Sequence, residues 1–295
     1  ASRLRRLYPA VAAVVAGVPW ADMDTAVVDA VRWRAALPAA VGMCVSRRPV
    51  GGDLTAPALV ALAGVTRLDL QGCTFVTDEL LLHLPPLLRT LNVRNCRSLT
   101  ERASFSHLPV LTSLDCRGTP VVDGGVAGLP PSLQELDISD VYLPASTSLA
   151  HLTQLWVLRT TDLDAAIRAS LPPSLLELHA ASCRELRGGA SFAHLPALRT
   201  LDVSYTGIDD ASLASMPPSL VSLHVRRCDD LTPAAVLPPL PSLRLLNVSA
   251  TGIGDALVAS LPAGLTELRM TDCRGVTVGA TLDHVPALQV LHTYG

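Results

Sequence analysis

The sequence predicts a solenoid of the α/β class, in which short parallel strands stack one per repeat. Three observations predict it. A Leu-x-x-Leu pattern, with Val in place of the first leucine at its first match, recurs eleven times in the 295 residues, an apolar residue stands two positions after most matches, and Cys, Thr or Val stands five positions after most. Self-similarity at a fixed period of 20 to 50 residues is the sequence signature of a repeat architecture.

We call the second leucine of each match the anchor leucine, and successive anchors are separated by 20, 22 or 23 residues. Because side chains alternate along a strand, the anchor and the residue two positions later point inward, whereas the residue between them points outward. The residue three positions before each anchor is also apolar, as at Val65 and Leu88. The anchors are Leu68, Leu91, Leu114, Leu136, Leu158, Leu178, Leu201, Leu223, Leu246, Leu268 and Leu291.

The chain must turn as soon as each strand ends. A small side chain that can satisfy backbone groups suits that position, which explains residues such as Cys73, Cys96 and Thr119. The return arm from one strand to the next is short and rich in Pro-Pro, so a long helix is excluded. We expect 3₁₀ turns or extended segments there.

The pattern Leu-x-x-Leu-x-Leu-x-x-(Cys/Thr) resembles the leucine-rich repeat over about Val65 to the end, with a degenerate extra turn near 41–63. This resemblance implies a leucine-rich-repeat horseshoe with a concave parallel β-sheet and a non-catalytic role in binding proteins. Two repeat types alternate, one like Cys96–Thr100 (Cys-x-x-Leu-Thr) and one like Thr206–Asp210 (Thr-Gly-Ile-x-Asp). That alternation, in a lysine-free chain rich in Ala, Arg and Pro, is similar to the multi-repeat proteins of trypanosomatid parasites.

Two domains follow from the repeat boundaries. Residues 1–40 form a helical N-terminal cap that includes an amphipathic helix over 21–36, since a solenoid needs its first open core covered. Residues 41–295 form a solenoid of about eleven repeats of 20–24 residues, which we expect to continue beyond this chain or to be capped by something outside it. The repeat from Leu158 to Leu178 is shortened and lacks the turn residue. It marks either a binding feature or a neutral deletion.

Composition excludes several classes of function. The net charge is −3 and aromatic residues make up 3%, which argues against nucleic acid as a partner. All 23 basic residues are arginine, so a Schiff-base or P-loop lysine is excluded. The seven cysteines are odd in number and include no Cys-x-x-Cys pair, which favours a reducing, intracellular and cytoplasmic location. A surface protein is the alternative, because Asn247-Val248-Ser249 is a glycosylation sequon.

Catalysis and cofactors find no support in the sequence. Five of the eight histidines share one repeat position, which indicates a structural role: His83, His107, His151, His194 and His284. No set of cysteines and histidines has zinc spacing, and a disulfide between Cys73 and Cys96 is conceivable from their predicted adjacency. We therefore expect no enzyme, no cofactor, no metal, no membrane contact and no small-molecule substrate.

The candidate site is the concave face, which would bind a protein partner. Its aspartates and arginines could instead pair with each other across strands. Trp156 and Tyr205 are the aromatic anchors for a partner, or else they pack on their own neighbours. The alternative function is a subunit or substrate-recognition arm of a larger assembly, for example of the ubiquitin-ligase type. The candidate residues are Asp69, Asn92, Arg94, Asp115, Arg117, Asp137, Trp156, Arg159, His179, Asp202, Tyr205, His224, Arg226, Asn247 and Arg269.

Overall fold

The computed structural model describes residues 16–20, 24–25, 34–45, 55–120 and 124–293. The chain divides into an N-terminal unit, residues 1–142, and a C-terminal unit, residues 143–295. In each unit, short strands pair in parallel in the order of the sequence, and each return arm leads from the end of one strand to the start of the next. This arrangement is the predicted solenoid.

The N-terminal unit contains six described strands, three helices whose full ranges are described, and further helical residues at 16–17 and 34–36. Its strands are β1 (Asp24–Thr25), β2 (Gly42–Val45), β3 (Arg67–Asp69), β4 (Thr90–Asn92), β5 (Ser113–Asp115) and β6 (Glu135–Ile138). Its helices are α1 (Ala56–Val60), α2 (Asp78–Leu81) and α3 (Gly124–Ala127).

The C-terminal unit contains seven described strands and three described helices. Its strands are β7 (Val157–Thr160), β8 (Glu177–His179), β9 (Thr200–Asp202), β10 (Ser222–His224), β11 (Leu245–Asn247), β12 (Glu267–Arg269) and β13 (Val290–His292). Its helices are α4 (Ala165–Ala169), α5 (Asp210–Ala214) and α6 (Asp255–Ala259). No helix in the described part of the chain is long and apolar enough to cross a bilayer.

The register of the strands stacks the anchor leucines on one another. Leu68 pairs with Leu91 in the N-terminal unit, and Leu201 pairs with Leu223 in the C-terminal unit. These side chains are at most 1% exposed and form the core together with the apolar residues two positions later. Leu291 in β13 differs, since it is 44% exposed. Full burial of each leucine contributes about 1.5–3 kcal/mol, so the stacked anchors are the main source of stability.

The return arms differ in one detail from the prediction. Helices of four or five residues, α2 to α6, follow alternate strands, and none of the described residues is in a 3₁₀-helix. Capping explains α2, α4 and α5, because the side chains of Thr77, Asp164 and Asp209 accept the N–H three residues later. The 3₁₀-type hydrogen bond appears as isolated turns before the strands, as from the Leu220 N–H to the Pro217 carbonyl at 3.3 Å.

Hydrogen bonds between neighbouring repeats explain why the two repeat types alternate. The first residue of α2, Asp78, accepts the backbone N–H of Thr100 at 2.9 Å and its hydroxyl at 2.5 Å. The pairs Asp210–Thr232 and Asp255–Thr277 repeat this arrangement in the C-terminal unit. The aspartate of one repeat type therefore holds the threonine of the next. Asp210 and Asp255 are 45 residues apart, so this contact recurs every second repeat there.

The N-terminal region is where the sequence-based prediction fails. A helix over 21–36 is wrong at Asp24–Thr25, which form strand β1 and pair with Cys44–Val45 of β2. The short parallel pairing satisfies backbone groups that a helix would have satisfied internally. The degenerate turn near 41–63 does form a strand, because Met43 pairs with Leu68. Residues 16–17 and 34–36, the latter at the end of the predicted helix, are helical. Most of the predicted cap over 1–40 lies outside the described residues, so the cap and its capping role stay predictions.

The shortened repeat keeps its strand but has a different turn. Thr160 stands two positions after the anchor Leu158, where most repeats have an apolar residue, and it is 2% exposed. Its hydroxyl donates to the Asp162 carbonyl at 2.8 Å and accepts the Asp162 N–H at 3.1 Å. The Asp162 carboxylate accepts the Leu143 N–H at 2.9 Å. A threonine and an aspartate thus close the turn that Cys or Thr closes in the other repeats.

Candidate partner-binding face

The open face is the sheet surface opposite the core, and it carries the residue directly after each anchor leucine. In the N-terminal unit each of the four described repeats from Leu68 to Leu136 has Asp or Asn there. Their Oδ1 atoms accept the backbone N–H two residues later at 2.9–3.0 Å, and Asp202 and Asn247 do the same at 3.0 and 3.1 Å. Such a turn satisfies the backbone as the strand ends. The residues with this structural role are Asp69, Asn92, Asp115, Asp137, Asp202 and Asn247.

Arginine and histidine occupy the same position in the other repeats of the C-terminal unit, where no side-chain turn of this kind forms among the described residues. Arg269 donates from Nε to Glu267 at 2.6 Å, and His179 lies 3.5 Å from Glu177. His224 Nε2 lies 3.0 Å from the Ser222 hydroxyl. These side chains lie along the open face and leave donor groups available there. The remaining candidate at this position is Arg159.

Pairing between arginine and aspartate is present, although the partners differ from those expected. Arg117 Nε donates to Asp140 at 3.0 Å rather than to an aspartate beside an anchor leucine. Burial raises the pKa of Asp115, and the neighbouring carboxylate of Asp137 adds to the increase. The guanidinium of Arg94 acts in the opposite direction on that pKa. The acidic residues of the N-terminal unit are therefore held by their own backbone more than by arginine.

The two aromatic candidates lie at opposite edges of the sheet. Trp156 precedes the anchor of β7 by two residues and is 42% exposed, whereas Tyr205 follows the anchor of β9 by four residues and is 48% exposed. One side chain precedes its strand and the other follows its strand, and the two strands are β7 and β9, with β8 between them. They do not form one aromatic cluster, so a partner that contacts both must span the width of the open face.

A left-handed residue follows most strands, four positions after the anchor. Tyr205 has φ +61°, and the equivalent residues Arg227 and Ala250 have φ +53° and +56°. This conformation costs a non-glycine residue about 1–2 kcal/mol. The Tyr205 N–H donates to the Arg226 carbonyl of the next repeat at 2.7 Å, which helps to hold the conformation. The shortened repeat lacks it, because Asp162 at this position is not left-handed.

Three candidate residues meet at one depression on the open face of the C-terminal unit. Arg226 and Arg269 lie on either side of it, and Asn247 lies in its floor. The Arg226 guanidinium lies 5.8 Å from the centre of the Tyr205 ring, within reach of a cation–π contact. The sequence-based prediction missed several residues of the depression. The sequence does contain a signal for them, because small residues follow the anchor leucine of β11 in the repeat between the two that carry the arginines. The missed residues are Ser249, Ala250, Thr271, Asp272 and His292.

Two histidines of the return arms, His194 and His284, form hydrogen bonds that agree with the predicted structural role. His194 Nε2 donates to the Arg168 carbonyl at 2.9 Å, and His284 Nε2 donates to the Val258 carbonyl at 3.1 Å. Both acceptors lie in the last turn of a short helix, where carbonyl groups lack partners within the helix. Burial lowers the pKa of His107. These histidines therefore stabilise return arms and lie away from the open face.

Cys73 and Cys96 are buried and form no disulfide with each other. The Cys96 thiol donates to the Leu70 carbonyl of the preceding repeat at 3.1 Å, as predicted for a residue that closes the turn. Burial raises the pKa of Cys73 to about 12 and that of Cys96 to about 11. Across the described ranges, no group of three or more His, Cys, Asp or Glu side chains could hold a metal ion.

A protein with this architecture is a leucine-rich-repeat solenoid, and comparisons with known proteins agree. The leucine-rich-repeat family model matches residues 194–216. An internalin from Listeria monocytogenes superposes with a TM-score of 0.63 at 15% identity, covering 88% of this chain and 75% of that one. A search of curated protein sequences gave no match. The fold prediction is thereby confirmed.

Two longer structures share the fold. The structure of the TLR13–ssRNA13 complex has a TM-score of 0.58 at 21% identity, covering 93% of this chain and 40% of that one. The Toll–Spatzle complex of Drosophila has a TM-score of 0.55 at 15% identity, covering 86% and 41%. This chain thus spans about two fifths of the length of each. The comparisons do not bear on the resemblance to trypanosomatid proteins, which stays a prediction.

Proposed function

We propose that this chain is a non-catalytic module that binds a protein partner on the open face of its sheet, mainly on the C-terminal unit. One observation carries the proposal. At the position after the anchor leucine, the N-terminal unit has Asp or Asn bonded to its own backbone, whereas the C-terminal unit has arginine and histidine at five of seven repeats. Exposed Trp156 and Tyr205 border the same face. Aromatic and arginine side chains supply most of the binding energy at protein interfaces.

A protein is a better fit than a nucleic acid. One of the similar structures, of far greater length, was solved with single-stranded RNA. This chain has a net charge of −3, and aromatic residues make up 3%. Nucleic-acid binding draws on a basic surface and on aromatic stacking, so these values favour a protein partner.

The chemistry of the cysteines and histidines supports a non-catalytic role. A reactive cysteine needs a low pKa and access to solvent. Here burial raises the pKa of the thiols, as at Cys183, where it is about 12. His194 and His284 donate to backbone carbonyls of the return arms. The buried thiols and these two histidines are therefore used to hold the repeats.

We also propose an intracellular location. Free thiols persist in reducing compartments, and the five buried cysteines form no disulfide: Cys73, Cys96, Cys116, Cys183 and Cys228. The alternative of a surface protein rested partly on the sequon at Asn247. That side chain is only 9% exposed, which leaves little room for a glycan on its Nδ2. Counting free thiols in the native protein by mass spectrometry tests this. Disulfides or a glycan at Asn247 would contradict it.

Affinity capture with paired baits tests the proposed binding face. The face variant combines Trp156→Ala, Arg159→Glu and Tyr205→Ala, and alanine suits the left-handed position of Tyr205 because Ala250 occupies the same position in its own repeat. The control combines Leu82→Ala, Leu87→Ala and Arg97→Glu, all on exposed residues outside the open face. We expect the control to retain the partner and the face variant to lose it, with both folded by circular dichroism.

Equal capture by the two baits would contradict the assignment of the open face. The alternative role, as a subunit or substrate-recognition arm of a larger assembly, is distinguished by composition. It requires a set of proteins that co-purify at fixed stoichiometry, whereas a simple binding module requires one direct partner.

A further inference from the structure

The depression between Arg226 and Arg269 differs from the rest of the open face in its chemistry. Its volume is about 400 Å³. It forms because the repeat of β11 presents small side chains between two repeats that each present an arginine. Ser249 and Ala250 leave the space that the arginines border.

The floor of the depression presents hydrogen-bond donors. Asn247 and Ser249 are 9% and 8% exposed. The Asn247 Oδ1 is occupied by the Ser249 N–H, so the amide group that remains is the donor Nδ2. Within the described residues, neither that amide nitrogen nor the Ser249 hydroxyl has a hydrogen-bond partner. The floor is therefore short of acceptors.

The walls add two guanidinium groups that are already positioned. The Nε of Arg269 is fixed by Glu267 at 2.6 Å, which leaves its terminal nitrogens to donate elsewhere. Arg226 is placed against the Tyr205 ring at 5.8 Å and forms no ion pair with a described carboxylate. Asp272 is the one carboxylate that borders the depression, and it lies at the turn beyond β12.

We propose that this depression binds an acidic segment of the partner protein, with an Asp or Glu carboxylate held between Arg226 and Arg269. This inference rests on the proposed function and names the partner's chemistry. A carboxylate supplies acceptors to both guanidinium groups and to the donors of the floor, which is the complement of what the depression presents. Tyr205 packs against Arg226 from the side and limits its movement.

The test selects random 12-residue peptides displayed on phage against the full chain. Peptides enriched in Asp and Glu are expected, and their affinities are then measured with Arg226→Gln and Arg269→Gln. Each substitution removes charge-assisted hydrogen bonds and should weaken binding about tenfold. Arg226→Lys keeps the charge but loses the planar guanidinium, and should fall between wild type and Arg226→Gln. Arg97→Gln, on an exposed arginine of the N-terminal unit, is the matched control and should leave the affinity unchanged.

Several results would overturn the proposal. These are selection of no peptides, selection of peptides without acidic residues, or acidic peptides that bind the two glutamine variants as tightly as wild type. Thermal melts of each variant confirm that the fold is intact, and Arg226→Lys serves where a glutamine variant is destabilised. If the proposal fails but the face variant above still loses its partner, the open face binds a partner of other chemistry and the proposed function stands.

Discussion

The open faces of the two units use the same repeat position for different purposes. In the N-terminal unit, Asp115 and Asp137 turn back to their own backbone and end their strands. In the C-terminal unit, His179, His224 and Arg269 stand at that position and contact neighbouring side chains instead. The comparison teaches that a polar column on a repeat protein is not by itself a binding surface. What matters is whether each polar group is already bonded to the backbone of its own repeat.

The buried cores of the two units should not differ in this way. Substitutions of core leucines should give the largest change in the free energy of unfolding. We predict that Leu114→Ala in the N-terminal unit and Leu201→Ala in the C-terminal unit each lower the free energy of unfolding by about 2–5 kcal/mol. Both leucines are at most 1% exposed. Leu291→Ala, at 44% exposure, should cost about 1 kcal/mol or less. Urea denaturation measures all three. A large gap between the first two would place the difference between the units in the core.

The aspartates directly after the anchor leucines of the N-terminal unit have a structural role, so their substitution should have an intermediate effect on the free energy of unfolding. Asp137→Ala should lower the free energy of unfolding by about 1 kcal/mol, because the Ser139 N–H loses its acceptor. His179→Ala at the same repeat position should change it by about 0.5 kcal/mol or less. Asp137→Asn is the control, since Asn92 forms the same turn natively. Equal losses at Asp137 and His179 in thermal or urea unfolding would erase the contrast between the two faces.

Backbone strain at Tyr205 predicts a trade-off between stability and binding. Tyr205→Gly removes the cost of a left-handed tyrosine and should raise the free energy of unfolding by about 0.5–1 kcal/mol, after the flexibility of glycine in the unfolded chain is counted. The same change removes the ring beside Arg226 and should weaken partner binding. Urea denaturation and the capture assay check the two halves. A variant that is less stable than wild type would show that the tyrosine side chain stabilises the turn.

The smallest expected effect is in the pH dependence, where two aspartates should act in opposite directions. Hydrogen bonds from Ser212 lower the pKa of Asp209 to about 2 from 3.8, so its contribution is present above pH 4 and is lost as the pH falls toward 2. Burial raises the pKa of Asp115, so its ionisation opposes folding as the pH rises above 4.

Stability measured from pH 2 to 6 should separate the two. The advantage of wild type over Asp209→Asn should shrink as the pH falls through 4 to 2. Asp115→Asn keeps the strand-end acceptor and should gain on wild type as the pH rises over the same range. Parallel curves for wild type and both variants would show that neither carboxyl titrates differently in the folded chain.

The periodic part of the fold could be predicted from the sequence because each repeat faces the same physical demands. Leu68 and its equivalents must be buried, and Cys96 and its equivalents must close a turn. The segment around Asp24 could not be predicted this way, because it lies outside the repeat and its strand depends on pairing with β2.

The candidate site was predicted in part. Comparing equivalent positions in successive repeats gave Arg226, Asn247 and Arg269, which the structure brings to one depression. It could not show that Asp115 bonds to its own backbone, because the same residue types suit a binding face and a strand-end turn.

Hydrogen–deuterium exchange of the chain alone and with its captured partner tests the central claim most directly. We predict that the partner protects amides of the C-terminal unit from β7 to β12 and the turns that follow these strands, from about 156 to 272. Amides around β4 to β6, from about 90 to 140, should exchange at the same rate in both states. Protection confined to the strands of the N-terminal unit would contradict the account. It would place binding on the Asp and Asn side chains that are already bonded to their own backbone.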